Sequence, residues 1–136
     1  MKKLMSIRLV LLVITAVLAT AILSACNKEA RLPTIYTYNP GPAFESNINN
    51  EDMRRVVKCA VMFEVIDGKA GIELAEHNST IRNAILVVLG GLTLEELTTD
   101  KDLNEISQRI VNQVNEAVGS RVNLIVGAYF TEFKLS

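Results

Sequence analysis

Tryptophan is absent from this chain, histidine occurs once and cysteine twice. The first absence, with aromatics sparse throughout, argues against a platform that stacks sugars or bases. The lone histidine, His77, lies beside Glu76 and Asn78 in a helix-like stretch. A general base there would need an orienting acid and a nucleophile, and its neighbours supply no such pair. Cys26 and Cys59 have no metal-ligand spacing, and they lie in segments too unlike to form a disulfide. Cys59 reads as a small buried hydrophobe. A basic excess is lacking too. Three of the fourteen basic residues (Lys2, Lys3 and Arg8) precede Cys26, leaving 11 against 15 acidic residues in the last 110, a formal charge of −4. Nothing in that balance suggests a nucleic-acid partner, which would call for a basic face.

The remaining chemistry-bearing residues give no site. Glu95, Glu96, Asp100 and Asp102 form an acidic cluster, but Thr98, Thr99 and Lys101 break the alternation of a calcium loop. Helix capping and dipole charge account for the cluster. Gly90-Gly91 is followed by no phosphate-loop lysine, and Ser79, Ser107 and Ser120 lack a nucleophile elbow. No catalytic, cofactor-binding or metal-binding residue is therefore expected, and the protein is expected not to be an enzyme. A domain without such residues should work by contact.

What is present begins with the first 26 residues. A basic head (residues 1–8) precedes an uncharged apolar run over residues 9–25 that ends in Leu23-Ser24-Ala25-Cys26. The charge asymmetry keeps the head in the cytoplasm and delivers everything after Cys26 across the membrane. Residues 9–26 would span about 27 Å as a helix, just short of the ~30 Å hydrocarbon core. One reading is a retained transmembrane helix. The other is a lipoprotein signal, because the four residues resemble the lipobox of bacterial lipoproteins, with Cys26 the candidate for lipid attachment. Both tether residues 27–136 to the outer face of the cytoplasmic membrane.

Residues 27–50 read as a linker and entry segment. All three prolines, Pro33, Pro40 and Pro42, fall there, and Asn39-Pro40-Gly41-Pro42 is turn chemistry. Residues 34–38 suit a short edge strand. Residues 51–136 read as one domain. A strand over 54–65 alternates Val57, Cys59, Val61, Phe63 and Val65 with more polar positions. One helix is expected over 70–89, with Leu74, Ile81, Ile85 and Val88 on its apolar stripe and Gly90-Gly91 as its stop. Thr93-Leu94-Glu95-Glu96 matches a capping box for a short helical turn. A third helix runs to about 118 on Leu103, Ile106, Ile110, Val114 and Ala117, and Gly119 ends it. A final strand over 120–135 would place Tyr129, Thr131, Phe133 and Leu135 on one face and Phe130 on the other, with Gly127 marking a bulge or close packing. The expected fold class is α+β: a membrane helix followed by a small two-layer domain of order strand-helix-helix-strand.

Four stretches, in order, resemble the FliL family of flagellar basal body-associated proteins: Tyr-Asn-Pro-Gly-Pro-Ala-Phe-Glu-Ser-Asn-Ile (38–48), Arg-Arg-Val-Val-Lys-Cys-Ala-Val-Met-Phe-Glu-Val (54–65), Glu-His-Asn-Ser-Thr-Ile-Arg-Asn-Ala-Ile-Leu (76–86) with Leu-Thr-Leu-Glu-Glu-Leu (92–97), and Ala-Tyr-Phe-Thr-Glu-Phe-Lys-Leu-Ser (128–136). The resemblance implies a stomatin/prohibitin-like domain. It also implies a single-pass membrane protein of the flagellar basal body that self-associates, in a ring, around the stator and supports flagellar rotation, swimming and chemotaxis. Stator and basal-body membrane proteins, the membrane and further copies of the chain would be its partners. With the resemblance included, the retained helix is favoured over lipidation of Cys26. The competing reading is a surface lipoprotein that binds a ligand or envelope component; a small exported enzyme is disfavoured. Candidate contact surfaces are an outer strand face with Met62 and Phe130 and the entry segment with Tyr36, Tyr38 and Phe44.

Overall fold

The computed structural model describes residues 33–48, 55–98 and 102–136. The chain divides into two compact units, Met1–Thr34 and Ile35–Ser136, and the fold below is that of the second. The expected cytoplasmic head, membrane segment and Cys26 lie outside the described residues. Among the described residues no helix is long and apolar enough to cross a membrane.

The domain is α+β, an antiparallel sheet with helices packed on one face. Strand β3 (Val56–Val65) is its axis. Val57, Cys59, Val61, Phe63 and Val65 are all buried, so the period-two pattern of the sequence is the period of the core. Strand β4 (Ile125–Leu135) pairs along one edge of β3. The other edge is shared end to end by β1 (Tyr36–Tyr38), facing Val65 to Phe63, and β2 (Phe44–Asn47), facing Cys59 to Val56. Between them Asn39 to Ala43 stand opposite only Ala60 to Met62, and the surplus residues leave the sheet edge as a proline turn. The described part of the expected linker is thus a sheet edge, because its backbone finds partners on β3.

The helix expected over 70–89 is two helices. Helix α1 (Gly68–Glu76) starts early because Asp67 is a cap: its Oδ1 accepts the Ala70 N–H at 2.8 Å. Helix α2 (Asn78–Gly90) follows after His77, which leaves helical geometry at φ −102°, ψ 18°. Asn78, Ser79 and Thr80 open α2, and such side chains favour helix starts over helix interiors because they compete with the backbone for hydrogen bonds. The apolar spacing of seven from Leu74 to Ile81 survives the break, and both side chains are buried.

Helix α3 (Leu94–Thr98) carries the expected capping box in both directions. The Glu96 N–H donates to Thr93 Oγ1 at 3.3 Å, and the Thr93 N–H donates to Glu96 Oε2 at 2.7 Å. Arg109 adds an ion pair to Glu96 Oε1 at 2.7 Å from helix α4 (Asp102–Val118). The Thr93 N–H, foremost, holds the Glu96 carboxyl below its ordinary range, aided by the Thr93 hydroxyl and Arg109. On α4 the buried stripe is Ile106, Ile110, Val111 and Val114. Leu103 and Ala117, expected within it, lie in the terminal turns and are exposed. Gly119 ends α4 at φ +67°, its N–H returning to the Asn115 carbonyl at 3.1 Å.

Strand β4 departs most from simple alternation. Its register on β3 shifts twice. Opposite Ala60/Val61 the residue Thr131 is surplus, and opposite Glu64/Val65 it is Val126. Each bulge inverts the faces beyond it. Phe130, expected outside, pairs with Val61 and packs against the core; Tyr129, expected inside, pairs with Met62 on the outer face. Phe130 and Phe133 meet edge to face at 5.0 Å, a contact between residues three apart that a regular strand forbids.

Removing the box by Thr93→Ala should cost about 1 kcal/mol in urea unfolding at pH 7. The Glu96 pKa is lowered on folding, so its contribution is complete above the unfolded value near 4.5 and is lost as pH falls through the folded one. Glu96→Gln should therefore lower stability at pH 7 and converge on the parent at the acid end, as read by unfolding curves across pH.

Candidate interaction surfaces

Three places bear on contact. The first is a clamp between the entry segment and α2. Asn78 and Arg82 are one helical turn apart and face the same way. The Tyr38 hydroxyl donates to Asn78 Oδ1 at 2.6 Å. Arg82 Nη1 donates to the Pro40 carbonyl at 3.1 Å and to the Pro42 carbonyl at 3.0 Å. The guanidinium carbon lies 4.2 Å from the centroid of the Phe44 ring. Gly41 holds the turn at φ +109°, with its N–H on Asn39 Oδ1 at 2.9 Å; a Cβ there would stand 3.3 Å from Arg82 Nη1. Only glycine adopts that φ without strain, so this position joins backbone need to close approach. Burial raises the Tyr38 pKa despite the opposing pull of Arg82, which keeps the phenol protonated and donating. A shallow hollow remains beside the clamp, lined by Tyr38, Asn39, Pro40, Gly41, Ala75 and Asn78.

The second place is the outer sheet face. Lys58 stands directly opposite Glu45 and pairs with it at 3.4 Å, and Lys134 pairs with Glu132 at 3.1 Å. Both pairs are largely solvated and contribute little stability. At the level of the proline turn lies an apolar pair, Met62 against Tyr129, with Tyr129 exposed. The third place is the free side of β4. Among the described residues no strand pairs with it, so its edge beyond Ile125 is open. From beneath, α4 fixes its start: the Asn115 side chain accepts the Ile125 N–H at 3.1 Å and donates to the Ile125 carbonyl at 2.9 Å.

The sequence-derived candidates separate accordingly. Phe44 is 2% exposed and sealed beneath Arg82, which corrects its expectation as a contact residue. Phe130 is half-buried on the core side, and Met62 is half-buried on the outer face. Tyr36 is exposed, while Tyr38 belongs to the clamp. Cys59 is wholly buried and its thiol is pushed up to about 11 by desolvation, so it offers no thiolate. His77 is exposed at the α1–α2 junction. Among the described residues no group of His, Cys, Asp or Glu could hold a metal ion. Sequence reading missed Arg82 and Tyr129. The only sequence signal for Arg82 is its one-turn spacing from Asn78. Tyr129 was misplaced because Val126 and Thr131 carry no mark of a bulge.

Residues 37–135 match the family described as flagellar basal body-associated protein FliL. No curated protein matches the chain. The match begins inside β1 and ends at the last residue of β4, so it takes in all four strands and all four helices described above.

Arg82→Ala should destabilise the domain by about 2 kcal/mol, from two lost charged hydrogen bonds and a partly exposed cation–π contact. Arg82→Lys, which cannot bridge both carbonyls, should lose about half of that. Gly41→Ala should cost about 1–2 kcal/mol through its positive φ. Urea unfolding measures each, and amide exchange of residues 39–44 should rise selectively in all three.

Proposed function

The chain belongs to the FliL family of flagellar basal body-associated proteins, and from that premise we propose that it is a non-enzymatic, membrane-tethered accessory of the flagellar motor. In this reading the domain self-associates beside the stator at the outer face of the cytoplasmic membrane and supports rotation. The observation that carries it is the open edge of β4. The outward-pointing backbone groups of β4 beyond Ile125, beside an exposed Tyr129 and its neighbour Met62, offer main-chain hydrogen bonds and an apolar anchor to another chain. Natural proteins normally blunt such an edge unless it is used. Here Glu132 and Lys134 at one end supply charge that selects register, and the stretch near Tyr129 has none. Weak protomer contacts suffice, because tethering many copies around one motor unit raises their effective concentration.

The clamp supports the same reading. It fixes the segment arriving from the tether onto α2, so that displacement of a bound partner is transmitted to the sheet and onward to the tether. Surface lipoprotein function is the second reading, favoured by Leu23-Ser24-Ala25-Cys26 alone; it replaces the helix by a lipid on Cys26 without altering the domain.

Cross-linking of the tagged full-length protein in membranes of its own swimming cells, followed by mass spectrometry, is the test. Stator subunits and further copies of the chain are expected, with linkages concentrated on β4. Recovery of neither from actively swimming cells would move the weight to the lipoprotein reading. Tyr129→Lys should leave urea unfolding within about 0.5 kcal/mol of the parent, as exposed substitutions do. The same change should cut the self-cross-linked fraction about tenfold, the size of a modest interface hot spot.

A further inference from the structure

One end of the sheet gathers exposed apolar side chains on and beside its strand ends. Tyr36 of β1 pairs with Val65 of β3, and Val65 pairs with Ile125 of β4. The Ile66 N–H then donates to the Leu124 carbonyl at 3.1 Å, closing that end. Strands lie about 4.8 Å apart, so these backbones cover a strip only about 10 Å wide. On and beside it Ile35 is 67% exposed, Tyr36 43%, Ile66 45%, Val122 59% and Val126 59%. Core-type side chains this exposed, this close together, mark a surface meant to be covered. At the opposite end the strands finish on Asn47, Val56 and Leu135, and the exposed Val87 stands on a helix, one turn before the Gly90 that approaches Ser46, rather than on a strand end. Lys69 and Arg121 are exposed beside the apolar end. Of the acids at this end, Asp67 caps α1, Glu73 accepts the Ser120 hydroxyl, and Glu64 lies over Gly127 on the outer sheet face.

We propose that this end of the domain docks onto the bilayer surface, with Ile35, Tyr36, Ile66, Val122 and Val126 entering the interface and Lys69 and Arg121 meeting anionic headgroups. The proposal rests on the tethered half of the reading above and not on the flagellar half. Two facts select a bilayer over other occupants. Eight residues separate Cys26 from Ile35, so a fully extended chain can hold that end no more than about 30 Å from the point where the apolar segment stops. A mixed surface of aliphatic side chains, a tyrosine and flanking cations also matches the chemistry of the lipid interface. A second copy meeting the same end by two-fold symmetry would set Lys69 and Arg121 against their own like charges.

The absence of tryptophan makes the test direct. Val122→Trp in the full-length protein gives a single emitter at the apolar end, and Ser136→Trp gives one at the far end. Each is reconstituted into phosphatidylethanolamine/phosphatidylglycerol vesicles with and without bromine on the acyl chains. The expected result is about twofold quenching and a blue shift at position 122, because interfacial side chains reach ~5–10 Å into the boundary, and neither at position 136. Lys69→Glu combined with Arg121→Glu should abolish the quenching at 122 in anionic vesicles while urea unfolding stays unchanged. Equal quenching at both positions, or none at 122 in protein that floats with the vesicles, overturns the docking and leaves the tether standing. Protein that does not float with the vesicles overturns docking and tether together. A blue shift at 122 without bromine quenching, rising with the protein-to-lipid ratio, assigns that end to a second copy and overturns the proposal.

Discussion

The sheet depends on β3 being satisfied on both edges and buried on one face. Its ten residues pair with three different strands, and Val57, Cys59, Val61, Phe63 and Val65 insert into the core from it. A slip of one residue would turn all five outward, so burial fixes the register of the strand against the helices. The neighbours then inherit their registers. Phe44 opposite Cys59 is buried because Cys59 is, and Leu135 opposite Val57 packs at the core margin for the same reason.

That constraint leaves mismatches to be absorbed by chains whose lengths do not match β3. On one edge the surplus is gathered into a single excursion, Asn39 to Ala43, and stabilised from outside by Arg82. On the other it is divided into two single-residue bulges at Val126 and Thr131. The difference follows from composition. The first edge carries Pro40 and Pro42, which donate no backbone hydrogen bond and suit a turn, whereas β4 is rich in strand formers and keeps pairing on either side of each surplus residue. Gly127, next to one bulge, leaves room for Glu64, whose Oε2 would lie 3.2 Å from a Cβ built there.

Legibility in the sequence divides along the same line between local and non-local causes. The alternation of β3, the Thr93–Glu96 box and the stop at Gly119 are written in residues within one or two turns of each other, and the structure bears them out. The break at His77 was hidden because Leu74 and Ile81 keep helical spacing across it. The clamp was hidden for a different reason. Tyr38 to Phe44 and Asn78 to Arg82 are some 40 positions apart, and a local reading sees a turn and a polar helix face. The family resemblance named both segments without revealing that they touch, and their contact gives a physical reason for the two polar motifs. Phe130 failed as a surface candidate because alternation was counted through the surplus Thr131, and Phe44 because a segment read as linker pairs with β3 and buries its ring.

The two proposed contacts place few demands on one another. Docking by the apolar end would stand β3 away from the bilayer, and ten residues at ~3.3 Å each give a sheet about 33 Å tall. The free edge of β4 would then rise beside that axis, with Tyr129 several residues above the docked end and the Glu132–Lys134 pair higher still. A surface that meets lipid at its base and neighbours along its side lets the membrane supply orientation before any protein contact forms. Association within the plane then loses less rotational freedom than association in solution, so a short backbone edge and one aromatic side chain can hold copies together that would separate once extracted.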